Sequence, residues 1–407
     1  MWFEMSFSKS TKKMTANICA LLLLMAPTII FSAPVLSPQQ KILISYHVRA
    51  GYPFVTPSKW SILEPSASPL PVVEGNFPED EFKWTINGDS LNISDYLNRQ
   101  LITGLLIAKD GVLLYEKYQY NATQNSLFLS NSMAKSVVGI GIGMLREDGL
   151  ITGFEDRAEK YLPELKDSNL GKISIKNLMR MGTGMRYRET NQPGDDHDRF
   201  GKAIQAGGLR EALLSIKNNE QISPQGTLYN CAGFSSVTLG LILQERAKTN
   251  IAKYIEKHLW MPMGASTLAA WGEDKDGNNL GHAALLANGR DWLRLSLVLA
   301  NDGVRSDLRK QIIPRKFIEE TINENNLDRA FKPRVDSWGY ANQFWIGGKQ
   351  TQEYGLVGSY GQSIFISQKL NLVMIQFSVN ETHGAEGTSL GKERNAVWRS
   401  LVKFYDR

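Results

Sequence analysis

Asn131-Ser132-Met133-Ala134-Lys135-Ser136 sets a serine and a lysine three residues apart where a long apolar stretch begins. In a helix, positions i and i+3 share a face, so the Ser132 hydroxyl and the Lys135 amine would stand one above the other. An amine so placed lowers the cost of an alkoxide. The uncommitted N–H groups and the dipole of the first turn also favour negative charge there. The spacing alone is a weak signal, since about one or two such pairs arise by chance in a chain this long. Ser6/Lys9, Ser10/Lys13 and Ser400/Lys403 repeat it. The first two fall in a basic N-terminus and the third has almost no chain after it, so only Ser132 has room for the rest of a site.

Working outward, residues 132–146 are apolar on nearly all sides and stop at Asp148-Gly149, which predicts a buried central helix. Gly139, Gly141 and Gly143 would each cost about 1 kcal/mol there relative to alanine, so other elements are expected to approach closely. Residues 233–248, 250–260 and 289–301 read as further helices. Residues 104–108 and 112–118 flank Lys109-Asp110-Gly111, a strong hairpin signal. Near the other end, 363–367 and 372–378 flank a second turn at 368–371. An amphipathic helix follows at 394–405, with Val397, Leu401 and Phe404 on one face. The economical architecture is α+β: an antiparallel sheet built from both chain ends, flanked by helices, with a largely helical inserted subdomain at roughly 150–290.

The 407 residues are 42% hydrophobic, with 46 basic and 41 acidic side chains spread without long runs. That is enough to bury a sizeable core, and the formal charge of +5 is no nucleic-acid signature. Residues 1–33 read as a secretory signal peptide, in which Lys9, Lys12 and Lys13 precede an apolar run that closes at Ser32-Ala33-Pro34. The expectation is export to the periplasm or beyond, with membrane contact only if that segment stays uncleaved. Residues 34–95 read as a proline-rich arm, with eight prolines by residue 88. Tyr46, Tyr52, Phe54, Trp60, Phe82 and Trp84 suggest that the arm packs on the body at 96–407. Removal of the leader, with Cys19, would leave Cys231 as the lone cysteine and a small packing residue. The five histidines are scattered without ligand spacing, so neither a metal nor an organic cofactor is expected. No G-x-S-x-G occurs, which argues against a nucleophile elbow.

Ser132 gains companions further along. Ser223-Pro-Gln-Gly-Thr-Leu-Tyr229 puts a tyrosine on a turn before a helix, and Gly355-Leu-Val-Gly358-Ser359-Tyr360-Gly361 puts a glycine-rich edge before the late hairpin. With Gly149-Leu-Ile-Thr-Gly-Phe-Glu-Asp156, Tyr161-Leu-Pro-Glu164, residues 175–184, Trp260-Met-Pro-Met-Gly264 and Arg290-Asp291, the chain resembles serine hydrolases of the class C β-lactamase and penicillin-binding-protein superfamily. Residues 185–198 and 358–362 look most like the branch of 6-aminohexanoate-dimer hydrolases and esterases.

The resemblance implies that Ser132 attacks an ester or amide carbonyl to form an acyl-enzyme. It implies that Tyr229, kept partly anionic by Lys135, relays the proton, and that the N–H groups of Ser132 and Ser359 hold the oxyanion. Gly358, Tyr360 and Trp345 are candidate pocket residues. Asp198, in a polar run at 195–198 read as a loop, is a candidate contact for a substrate amine. Where relatives carry K-T-G, this chain has Leu356 and Val357 before Gly358, and Cys231 stands where an asparagine is usual. Those departures favour small esters or amides over lactams. β-Lactamase or D-alanyl-D-alanine peptidase activity is the alternative enzyme reading, and a non-catalytic ligand- or peptidoglycan-binding domain the alternative outside enzymes.

Overall fold

Two hairpins from opposite ends of the chain meet in the main sheet. The computed structural model describes residues 57–190, 193–323, 338–348, 350–380 and 389–406. The segment read as a signal at 1–33, and Tyr46, Tyr52 and Phe54 of the arm, lie outside the described residues. Strand Ile102–Lys109 pairs antiparallel with Leu372–Ser378, placing Ile107 opposite Met374. From one edge the order runs Gly339–Ala341, Phe344–Ile346, Glu353–Val357, Ser363–Ser367, Leu372–Ser378, Ile102–Lys109, Val112–Tyr118 and Val73–Glu74. The pairings are antiparallel except the last, where Val73 runs parallel to Val112.

The central strands are buried on both faces, as their unbroken apolar runs require. Alternation then divides them between two cores. Leu106, Ile364, Ile375 and Phe377 pack with Met133 and Val137 on one side. Leu105, Ile107, Phe365 and Met374 pack with Val397, Trp398 and Leu401 on the other. The C-terminal helix that supplies those last three, Ser389–Tyr405, starts five residues before the expected 394.

Helix Met133–Glu147 runs through the larger core, buried from Met133 to Leu145. Its three glycines are contact points, as expected. A Cβ on Gly139 would strike the carbonyl of Asn342, one on Gly141 the Leu243 side chain, and one on Gly143 the Phe317 ring at 2.5 Å. Helices Gly233–Ala247 and Gly289–Ala300 fall where the sequence placed them. The expected 250–260 helix divides at Ile255, and its second half, Glu256–Trp260, is wound with i to i+5 bonds such as Met261 N–H to Glu256 O at 2.9 Å.

The region 150–290 is largely helical and also holds Ala269–Glu273 and Leu285–Asn288, the middle strands of a second antiparallel sheet with Lys59–Leu63 and Leu127–Leu129 at its edges. These strands are short and alanine-rich, and the edge strands they pair with lie far away in sequence, so no local pattern betrays the sheet. The polar run at 195–198 is a helix start and not a loop. The Asp195 carboxylate caps helix Asp196–Ile216 by accepting the Asp198 N–H at 2.8 Å.

The proline-rich segment is tied down where it is described. Leu70 N–H donates to Gly264 O at 2.9 Å, its carbonyl accepts from Arg294 Nε at 2.8 Å, and the buried Arg305 holds Ser68 O at 2.8 Å.

Candidate active site

Ser132 occupies the N-cap of the central helix with φ −66° and ψ −6°, and its side chain makes no capping bond. It is partly exposed while Asn131 and Met133 beside it are buried. A serine at an N-cap usually spends its oxygen on the helix's own N–H groups; this one is not so used. Lys135 follows one turn later on the same face, only 5% exposed, with its Nζ 3.9 Å from Cys231 Sγ.

Tyr229 ends a loop pinned to residues 181–187. Gly226 N–H donates to Gly182 O at 2.7 Å, Asn230 N–H to Met181 O at 2.9 Å, and Asn230 Nδ2 to Tyr187 O at 2.9 Å. The residue is partly exposed, but its phenol oxygen is buried. Its ring lies 5.4 Å from Tyr340 and 6.1 Å from Trp345, centroid to centroid. Burial, with Cys231 and Tyr340 next to it, pushes the phenol well above the ordinary tyrosine range. This differs from the expected partial anion. The thiol that contacts Lys135 also adjoins the Tyr229 phenol, so Cys231 stands next to both polar groups.

Ser359 follows strand Glu353–Val357 at the end that meets the Ser132 segment, and Asn131 Nδ2 donates to Ser359 O at 2.9 Å. Gly358 packs against the same turn, where an added Cβ would lie 2.5 Å from Ser130 O and 3.1 Å from Asn131 Cβ. Tyr360 is buried, with φ +63°, and its carbonyl accepts from Asn380 N–H and Ser378 Oγ, both at 3.1 Å. Burial raises its phenol to about 12.

The structure therefore brings Ser132, Lys135, Tyr229, Gly358, Ser359 and Trp345 into one neighbourhood. Asp198 has partners of its own: its carboxylate accepts from Lys202 Nζ and Gly194 N–H, both at 2.7 Å, and these hold it below the usual carboxylate range.

Sequence reading missed three contributors. Tyr340 reaches the site on a hairpin whose turn, Asn342-Gln343, has φ +51° and +68°. This is the geometry of a type I′ turn without the glycine that normally signals one. His282 is buried, and burial first, then Lys135 and His197, drive its imidazole down to about 3. Asn131 carried no signal of its own. Among the described residues no group of three or more histidine, cysteine, aspartate or glutamate side chains could hold a metal ion, and no helix is long and apolar enough to cross a membrane.

A two-faced sheet made from both chain ends, with the nucleophile candidate at the N-terminus of a buried helix beside the sheet edge, is the β-lactamase and transpeptidase fold. The Beta-lactamase family profile matches residues 93–391, and the chain belongs to that family, among the β-lactamase-fold hydrolases. It is 20% identical over 297 residues to the 6-aminohexanoate-dimer hydrolase of Paenarthrobacter ureafaciens, across 70% of this chain and 75% of that one. A Bacillus anthracis structure assigned by name to the 6-aminohexanoate-dimer hydrolases superposes with a TM-score of 0.76 at 21% identity, covering 89% of this chain and 93% of its own. EstCE1, a hydrolase with promiscuous acyltransferase activity, superposes at 0.60 with 14% identity, over 74% and 94% of the two chains.

Proposed function

We propose that the protein hydrolyses small esters or linear amides through an acyl-enzyme on Ser132. The observation that carries this reading is the placement of an uncommitted serine hydroxyl at the N-cap of a buried helix. One turn along stands a buried lysine, whose amine contacts Cys231 beside a tyrosine with a buried phenol oxygen.

The chemistry follows from these groups. Ser132 Oγ bonds to the carbonyl carbon and its proton passes to the Lys135/Tyr229 pair. Burial raises the phenol well above its ordinary range, so Tyr229 is suited to carry the proton that the leaving group needs. The tetrahedral oxyanion is held by the N–H groups of Ser132 and Ser359, each such donor being worth about 3 kcal/mol of barrier. When the carbon–oxygen or carbon–nitrogen bond breaks, Tyr229 returns the proton to the leaving group. Water then attacks the acyl carbon and the same pair carries its proton back to Ser132.

Leu356 is fully buried and Val357 packs on the smaller core, so this edge offers no ammonium group to a substrate carboxylate. That favours esters and amides such as those of the 6-aminohexanoate-dimer hydrolases over lactams and cell-wall peptides. The leader-like segment at 1–33 supports action outside the cytoplasm.

The test is covalent. A fluorophosphonate should label the protein at Ser132, located by mass spectrometry, and Ser132→Ala should abolish both labelling and ester turnover while leaving the thermal melt unchanged. Absence of label on folded wild-type protein would sink the mechanism. Faster turnover of a chromogenic cephalosporin than of simple esters would reverse the substrate ranking.

A further inference from the structure

The two candidate oxyanion donors sit on segments far apart in sequence, Ser132 on the central helix and Ser359 beyond a sheet strand, and a hole works only if both point at one position. The Asn131 side chain ties these segments together directly. Asn131, immediately before the nucleophile, is 6% exposed and donates Nδ2 to Ser359 O at 2.9 Å. Its backbone takes φ +46°, in the left-handed region that asparagine tolerates better than most residues. The same residue is held from behind, since its carbonyl accepts from Ser130 Oγ at 2.9 Å, and Ser130 in turn exchanges bonds with Leu285 of the second sheet. Gly358 fits against it without room for a Cβ.

On the far side, three successive carbonyls of the edge turn are occupied. Ser359 O takes Asn131, Tyr360 O takes Asn380 and Ser378, and Gly361 O takes Gln376 Nε2 at 3.2 Å. Strand Leu372–Ser378 and Asn380 shortly beyond it fix two of the three, and Asn131 links the turn to Ser132.

We propose that Asn131 is a positioning residue that sets the spacing of the two oxyanion donors. It touches no reacting atom. It orients Ser359 by holding that residue's carbonyl, and its left-handed backbone turns the chain so that Ser132 opens the helix. This rests on the acyl-enzyme reading of Ser132, and the experiment separates the two.

Asn131→Gly keeps the left-handed backbone accessible and removes only the amide. Asn131→Asp keeps the shape but sets a carboxylate oxygen against the Ser359 carbonyl. Both are compared with wild type for melting temperature, for kcat and KM on an ester, and for the rate ratio between that ester and its thionoester. A hole tuned to oxygen discriminates against sulfur, whereas a looser one does so less. The expected result is a kcat about 10- to 100-fold lower with KM within about threefold, because the loss falls on the transition state. The oxo/thiono ratio should shrink at least fivefold in both variants, and fluorophosphonate should still label Ser132, only more slowly.

Unchanged kcat and an unchanged oxo/thiono ratio in folded Asn131→Gly would overturn the proposal. So would a kcat loss with an unchanged ratio, which assigns the residue to folding alone. Failure of wild type to label at Ser132 would instead overturn the acyl-enzyme reading. Should Asn131→Gly fail to fold, the ratio in Asn131→Asp decides.

Discussion

Replacing Gly139 by alanine sets two physical effects against each other with opposite signs. Helix propensity alone makes the variant more stable by about 1 kcal/mol, since Gly139 lies inside helix Met133–Glu147. Packing opposes it. The added Cβ would overlap the carbonyl oxygen of Asn342 and lie 3.0 Å from Gln343 Cβ, where carbon atoms prefer about 3.5 to 4.0 Å. The obstacle is a backbone carbonyl in a tight turn and cannot swing aside.

Gln343 anchors that turn through its own N–H to Met179 O at 2.9 Å, its Nε2 to Leu178 O at 3.0 Å, and Ser136 Oγ to its carbonyl at 2.6 Å. Relief therefore requires the helix and the hairpin to separate by roughly half an ångström or more. Overpacking of this kind costs about 1 to 3 kcal/mol, and an immobile neighbour puts it at the upper end. The net expectation is a loss of about 2 kcal/mol, read as a lower urea midpoint at unchanged slope. The same hairpin carries Tyr340 and Trp345 to the Tyr229 ring, so ester turnover should fall with stability. Gly143→Ala meets the buried Phe317 ring at 2.5 Å and should also be destabilising. A Gly139→Ala variant as stable as wild type, or more so, would refute the reasoning.

Two other perturbations test the surroundings of the site. Cys231→Ala removes the group that contacts both Lys135 and Tyr229 and should lower ester kcat about tenfold at unchanged KM; iodoacetamide should inactivate wild type but not this variant, and equal inactivation of both would show that the thiol lies apart from the chemistry. His282 has an ordinary pKa of 6.5 when unfolded and about 3 in the fold, lowered by burial and then by Lys135 and His197. Below pH 6.5 the unfolded chain takes up a proton that the native chain refuses, so stability falls as pH drops towards 3 and is unaffected above 6.5. Between pH 6.5 and 4.5 wild type should lose about 2 to 3 kcal/mol more than His282→Asn, measured by urea unfolding at both values; parallel losses would show that the imidazole is not held neutral.

What one sequence determined here was local or ordered along the chain. Two apolar runs around Asp110-Gly111, and two more around residues 368–371, declare hairpins because period-two burial and turn chemistry lie within a few residues of one another. The central helix, its three glycines of close approach and the nucleophile candidate at its first turn were legible for the same reason. Tertiary structure alone decided the rest. The second sheet joins segments near residues 60, 128, 270 and 286, whose patterns are short and whose edge strands pair with remote partners. Asp198 changed from a loop side chain to a helix-turn residue because the cap that starts its helix is Asp195, one more carboxylate in a polar run. The surroundings of the Tyr229 phenol are not legible from residue types because desolvation is a property of what surrounds a group in space. The lysine expected beside the phenol reaches the cysteine next to it, and burial among Cys231, Tyr340 and Trp345 keeps the phenol protonated. The sequence names Ser132, Lys135, Tyr229 and Ser359, whereas the fold alone buries the Tyr229 phenol and ties Ser359 to the segment of Ser132 through Asn131.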